Sequence, residues 1–169
     1  MIRIRKAKET DYQSITDLVE RAYRRAHDSR RLSLADMRDS KLFIPELSLV
    51  AEVDKHRIVG HIYLVKVSIN DVYPSLGLAH VAVDPKYQGL GIGALIVYYV
   101  HQEARKLGYG SVISVGCKRF LSRFGYRTVS DFGINFPFGV VEDQCIAAEL
   151  YPGALNEVHG MVSFPLEYM

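Results

Sequence analysis

Apolar and basic residues alternate through Ile2-Arg-Ile-Arg-Lys6, which predicts a short strand with two unlike faces. Thr10-Asp-Tyr-Gln13 reads as a capping box. Tyr12, Ile15, Leu18, Val19, Ala22, Tyr23 and Ala26 then recur along one helical stripe. A second, shorter helix is predicted over Leu34–Ser40. Ser48–Val53 and Ile58–Val67 predict a hairpin around Asp54-Lys-His-Arg57, followed by a strand over Leu76–Val83. Past Gly91, apolar positions at Ile92, Leu95, Ile96, Tyr99, Val100, Ala104 and Leu107 mark one face of a helix, and Leu107-Gly-Tyr-Gly110 stops it. Val112–Val115 reads as a strand, Lys118–Phe124 as a short helix and Ile146–Leu150 as a late strand. Pro and Gly are scattered singly, with no linker and no repeat, so the expectation is one mixed α+β domain over residues 1–169.

Composition narrows this picture little. The 169 residues are 49% apolar and 24% charged, as in average soluble domains, and suffice for one core. The longest apolar stretch, Ala94–Val100, is too short to span a membrane, and the N-terminus lacks the apolar core of a secretion signal, so a cytoplasmic setting is expected. Cys117 and Cys145 make neither a zinc spacing nor a disulfide framework, and no metal is expected. The net charge is +2, but Arg21, Arg24, Arg25, Arg30 and Arg31 cluster after the first helical stripe. Such a run reads first as a solvated helix face. A nucleic-acid partner is the less favoured reading.

The chemistry concentrates in Val81-Ala-Val-Asp-Pro-Lys-Tyr-Gln-Gly-Leu-Gly-Ile-Gly93, a strand, a break and a glycine-rich turn that opens a helix. Gly89, Gly91 and Gly93 let the backbone turn tightly and approach a ligand. Unbonded N–H groups at a helix start, with the positive end of the dipole behind them, suit a phosphate. A Walker loop would need Lys-Ser/Thr after its last glycine, where Ala94-Leu95 stand. A Rossmann fingerprint would need a third glycine where this chain has Ile96.

What the string does match is Gln/Arg-x-x-Gly-x-Gly/Ala, as Gln88-Gly-Leu-Gly91-Ile-Gly93, preceded by Val81-Ala-Val83-Asp-Pro. It thereby resembles the cofactor motif of the GNAT superfamily of acyl-CoA-dependent N-acyltransferases. The resemblance continues through Leu121-Ser-Arg-Phe-Gly-Tyr126. It extends to Glu149-Leu-Tyr-Pro-Gly-Ala-Leu-Asn-Glu-Val-His-Gly160 and Val162-Ser-Phe-Pro165, which look like the C-terminal signature of a bacterial branch of predicted N-acetyltransferases. It implies the GNAT fold, a central mixed, mostly antiparallel sheet flanked by helices. It also implies acetyl-CoA as acyl donor. Gln88, Gly89, Leu90, Gly91, Ile92, Gly93 and Ala94 would hold its pyrophosphate, and the main chain of Val81, Ala82 and Val83 would pair with its pantetheine arm.

By the same resemblance the reaction is transfer of an acetyl or short acyl group to a primary amine, small molecule or peptide, in a ternary complex. The amine must lose a proton, the carbonyl must be polarised and the departing thiolate is helped by a proton. A main-chain N–H at Val81 or Val83 would polarise the carbonyl. The family's proton-donating tyrosine falls on Leu121, which cannot donate; Cys117, Ser122, Tyr87 and Tyr126 are the substitutes. His80 is the candidate base, although strand parity from Val83 sets it on the face opposite Ala79 and Gly77, where family bases stand. His61 and Glu52 are further candidates, and Cys117 is also a conceivable nucleophile. Phe132, Phe136, Pro137 and Phe138 would line an acceptor pocket, pack in the core or meet a second copy in a homodimer. Loss of the tyrosine motivates an alternative: an acyl-CoA-binding sensor with little or no turnover.

Overall fold

The computed structural model describes residues 1–23, 34–137 and 142–163. Arg24, Arg25, Arg30, Arg31, Ala26, Phe138 and Pro165 lie outside them. The chain runs β1 (Arg3–Lys6), α1 (Tyr12–Ala22), α2 (Leu34–Arg38), β2 (Phe43–Val53), β3 (Arg57–Ile69), β4 (Tyr73–Val83), α3 (Ile92–Lys106), β5 (Ser111–Val115) and α4 (Lys118–Leu121). It continues through β6 (Arg127–Thr128), β7 (Ile134–Asn135), β8 (Cys145–Glu149) and β9 (Gly160–Ser163). The strands order as β1-β2-β3-β4-β5-β8-β6, with β9 on the end of β3 and β7 on β9. Pairing is antiparallel except for β4 with β5 and β7 with β9, so the mixed, mostly antiparallel sheet expected from the sequence is present.

Period-2 patterning of β2, β3 and β4 gives the sheet two apolar faces, and each is covered. On one, Ile92, Ile96, Val97, Val100 and Ala104 of α3 pack on Leu49, Val59, Ile62, Leu64, Leu76, Leu78 and Val112. On the other, Ile15 and Leu18 of α1 meet Val50, Ile58 and Ala82, and Met37 of α2 joins Tyr63, Val65 and Val67. The buried stripe of α3 is rotated from the expected one. It passes through Val97 and His101, and leaves Tyr99 and Leu107 exposed. No helix among the described residues is long and apolar enough to cross a membrane.

Two local expectations are corrected, and three short strands are added. The cap of the first helix is Asp11, whose carboxylate accepts the Lys8 N–H (2.8 Å) and the fork of Arg5 (2.7 and 2.9 Å). Asp11 thus holds the N-cap position by its backbone, while its carboxylate closes the preceding turn at Lys8 and caps no N–H of the helix. The second strand starts at Phe43, five residues early and across Pro45. β1 covers only Leu49–Glu52 of it and the β2–β3 register shifts between Phe43 and Ser48, so a missing N–H at 45 breaks no ladder bond. The short strands β6, β7 and β9 carry too few residues for periodicity to show.

Candidate functional site

Two parallel strands part at the centre of the sheet. β4 and β5 pair only at Leu76–Val112 and Gly77–Ile113, so β4 runs on to Val83 with an open edge on that side. The Asp84 N–H crosses to the Val59 carbonyl of β3 (2.8 Å). By alternation, Val81 and Val83 turn their main-chain groups to the open edge. Two side chains already reach those carbonyls: the Tyr23 hydroxyl donates to Val81 O (2.6 Å), and Gln88 Nε2 donates to Val83 O (3.1 Å).

The strand leads straight into the glycine turn. Asp84, gripped by Arg21 at 3.1 Å, accepts the Lys86 N–H at 2.9 Å and fixes the direction of exit. Gly89 and Gly91 have φ of +79° and +83°, a conformation that L side chains rarely adopt. A Cβ on either would meet nothing within 4 Å, so the turn faces open space that a side chain would fill. The first intrahelical bond of α3 is Leu95 N–H to Gly91 O, which leaves the N–H groups of Ile92, Gly93 and Ala94 as the unbonded start of a 15-residue helix. Gly93 has a different reason: a Cβ there would stand 3.2 Å from the Phe120 ring and 3.7 Å from Val83, so a hydrogen at this position lets α4 close onto the turn. The result is an extended backbone edge ending at an anion cradle, which fits a long arm carrying a phosphate.

On the opposite face of the sheet, β4 carries His80. Tyr63 pairs with His80 and Leu64 with Leu78, so Ala79 is an unpaired bulge residue. The bulge resets the alternation: Ala82 and His80 share a face, and a Cβ on Gly77 would point at Val67 and Val65 on that same face. The parity expectation that separated His80 from Gly77 is thereby overturned. His80 is 6% exposed, and its Nε2 lies 2.7 Å from His61 Nδ1, while His61 Nε2 lies 3.0 Å from Ser48 Oγ. Burial above all, with the His80 imidazole and the Arg38 guanidinium nearby, holds His61 well below an ordinary histidine, so it is neutral at pH 7. The Tyr63 ring stands edge-on to His80 at 4.7 Å. Sequence reasoning named His61 and His80 separately; a contact between residues on neighbouring strands needs the register, which the pattern does not carry.

The remaining candidates sit elsewhere. Glu52 accepts from Arg5 (2.7 Å) and His56 (3.2 Å) and is committed to that ion pair. Leu121 is fully buried in the α3-side core. Tyr126 is buried with its hydroxyl 2.8 Å from His101 Nε2, about 15 Å down α3 from Gly91, and desolvation raises its pKa far above that of a free phenol. Such a phenol does not reach the cleft, which corrects its candidacy. Cys117 is exposed, in the left-handed conformation (φ 57°) between the end of β5 and α4. Ser122 Oγ donates to Arg119 O, and the Tyr87 hydroxyl meets Arg57. Phe132 and Phe136 pack against the α2-side cluster, and Pro137 lines a cavity with Leu42, Lys66 and Met161.

The chain is similar in sequence and fold to known proteins. The family described as the acetyltransferase (GNAT) domain matches residues 45–128, which run from within β2 to the end of β6 and include the whole turn. The chain is 26% identical over 155 residues to the uncharacterized N-acetyltransferase YhbS of Escherichia coli K12, covering 91% of this chain and 90% of that protein. It is 27% identical over 139 residues to YjhQ of the same organism, covering 79% and 76%. The crystal structure of E. coli YhbS in complex with CoA superposes with a TM-score of 0.88 at 25% identity, over 99% of this chain and 91% of that one. A Brucella melitensis GNAT acetyltransferase in complex with acetyl-CoA shares the fold, with a TM-score of 0.78 at 24% identity, over 100% and 99%. The open edge of β4, the glycine turn at the head of α3 and these likenesses together mean that the chain belongs to the GNAT family of acetyltransferases.

Proposed function

We propose that the protein moves an acetyl or other short acyl group from acyl-CoA to a primary amine by direct transfer in a ternary complex. The observation that carries this reading is the union of the open edge at Val81–Val83 with the unbonded N–H groups of Ile92–Ala94. One strand end and one helix start are thereby aimed at a single elongated ligand. The CoA and acetyl-CoA held by the two structural relatives support the same choice of ligand. The outward main-chain groups of Val81 and Val83 pair with the pantetheine arm, while those of Ala82 between them stay turned to β3, and the turn from Gln88 to Ala94 receives the pyrophosphate.

Bound acetyl-CoA supplies the thioester carbonyl that the amine attacks. The Val81 N–H, fixed in a strand, polarises that carbonyl without reorganising. His80 lies on the other face of the sheet from α3, where an amine meets the parted strands from the side away from the cofactor turn. It takes the amine proton while its Nε2–H remains donated to His61 Nδ1, the arrangement of a base oriented by a third group. Because Leu121 and Tyr126 are both sealed in the core, no tyrosine of the Leu121–Tyr126 segment protonates the leaving sulfur. A thiol with a pKa of about 8.5 departs as thiolate near neutrality. Cys117, exposed at the end of β5, is the side chain of this set that could still assist.

The test is release of free CoA from acetyl-CoA across a panel of primary amines. Gly91→Val should abolish release and weaken CoA binding by about tenfold or more, since it places a branched side chain at φ +83° and in the cradle. Intact binding in that variant would remove the cofactor assignment. Tight CoA binding by the wild type with no turnover on any amine would leave the sensor reading instead.

A further inference from the structure

Arg38, the last residue of α2, stands on the His80 side of the sheet. Its guanidinium carbon lies 3.4 Å from the centroid of the Tyr12 ring. Met37 beside it is buried with Tyr63, and Arg38 is close enough to Tyr63 and His61 for their charges to be felt. The stack covers a flat face of the guanidinium, while its rim of N–H donors has neither a carboxylate nor a carbonyl partner among the described residues.

The other arginines divide cleanly. Arg5 spends its fork on Asp11 and Glu52, Arg21 on Asp84, Arg105 on the Leu150 carbonyl and Arg127 on Asp131. Arg57 meets the Tyr87 hydroxyl. Arg3, Arg119 and Arg123 are exposed, where water serves. Arg38 alone among the described arginines is partly desolvated, immobilised on a ring and without an anion. Burying part of a cation without a counter-charge is unfavourable, and a planar fork held by stacking is preorganised for a two-oxygen acceptor.

We propose that Arg38 receives a carboxylate of the acceptor, so that the preferred substrates are small amines that themselves carry a carboxylate, the amino-acid class. This rests on the transferase reading above, with the amine directed to His80 and the carboxylate to Arg38 across the Tyr63 ring.

Two measurements separate the inference from that reading. In the first, CoA-saturated protein is titrated calorimetrically with N-acetylglycine, N-acetyl-β-alanine and N-acetyl-4-aminobutyrate, each beside its own methylamide. This binding is read whether or not the enzyme turns over. At least one acid should bind about tenfold or more tighter than its amide, and Arg38→Gln, still folded by thermal melt, should lose that preference. Arg38→Lys should keep part of it, because the charge stays but the fork does not. Equal binding of every acid and amide, or a preference that survives in Arg38→Gln, overturns the assignment. In the second, acetyl transfer is compared between glycine, β-alanine and 4-aminobutyrate and neutral amines of like length. A lower KM for the acids supports Arg38, and equal or better KM values for the neutral amines count against it. Absence of transfer to any amine overturns the transferase reading and leaves the calorimetry to decide on Arg38.

Discussion

The Tyr23 hydroxyl, at the end of α1, donates to the main-chain carbonyl of Val81 at 2.6 Å. It ties one helical layer to the strand edge that the parted sheet leaves open. Together with Gln88 on Val83, it means that both outward carbonyls of this edge are engaged before any ligand arrives. A carbonyl has two lone pairs, so each can still accept from an added strand.

Tyr23→Phe should therefore affect stability more than cofactor affinity. Loss of one neutral hydrogen bond costs about 1 kcal/mol, or roughly 2–4 °C in Tm for a chain of this size. The Kd for CoA should stay within about threefold. Thermal melts and calorimetry check both, and a tenfold loss of affinity would mean that the hydroxyl itself grips the ligand.

His80→Gln should lower kcat by about a hundredfold, the usual worth of a general base, with CoA affinity little changed. His61→Leu removes the group that orients His80 and should lower kcat by roughly tenfold while moving the acid limb of the pH–rate profile. If His61→Leu lowered stability yet left the profile in place, His61 would be only a core residue.

Much of this site was legible in the sequence because it is local. The turn from Gln88 to Gly93, the strand before it and the helix after it are contiguous, and glycine at positive φ is a local demand. The acceptor side was not. It depends on a bulge at Ala79 that no residue type announces, and on a register that sets His61 beside His80 across nineteen positions. The stack of Arg38 on Tyr12 joins two helices whose relative placement comes only from packing on the sheet. Periodicity reports which face is apolar, not where two faces meet.

Gly93 and Phe120 should couple. Alanine at a helical glycine normally gains about 1 kcal/mol, but here its Cβ would press the Phe120 ring at 3.2 Å. Gly93→Ala alone should be neutral or destabilising, and it should become stabilising by about 1 kcal/mol in a Phe120→Leu background. A double-mutant cycle by urea unfolding measures the difference. Additive effects would mean that the ring yields without cost.

Acid should weaken the fold through its buried histidines. Desolvation, with Arg105 nearby, holds His101 at about 4 against an ordinary 6.5. Above pH 6.5 both folded and unfolded chains leave it neutral, and its contribution is fully present. As the pH falls toward 4 the unfolded chain takes up the proton first, and up to about 3 kcal/mol is lost. His61 acts in the same direction. Urea midpoints at pH 7.5 and 5 should show the drop. His101→Gln should reduce its slope, and an unchanged slope would assign the acid sensitivity elsewhere.

Restoring the family's tyrosine should fail. Leu121 is fully buried beneath α3, in the cluster that holds Ile92, Ile96 and Tyr126. That site is closed, so Leu121→Tyr should cost about 1–3 kcal/mol by overpacking, with a further loss if its hydroxyl stays unpaired. Its kcat should not rise. The measurement is turnover per folded molecule beside a denaturant titration. A gain in kcat with stability kept would show that the backbone of α4 can turn position 121 toward the cleft, and that thiolate protonation limits the wild-type rate. The geometry argues otherwise, because Phe120, not residue 121, is the side chain of α4 that reaches Gly93 at the turn.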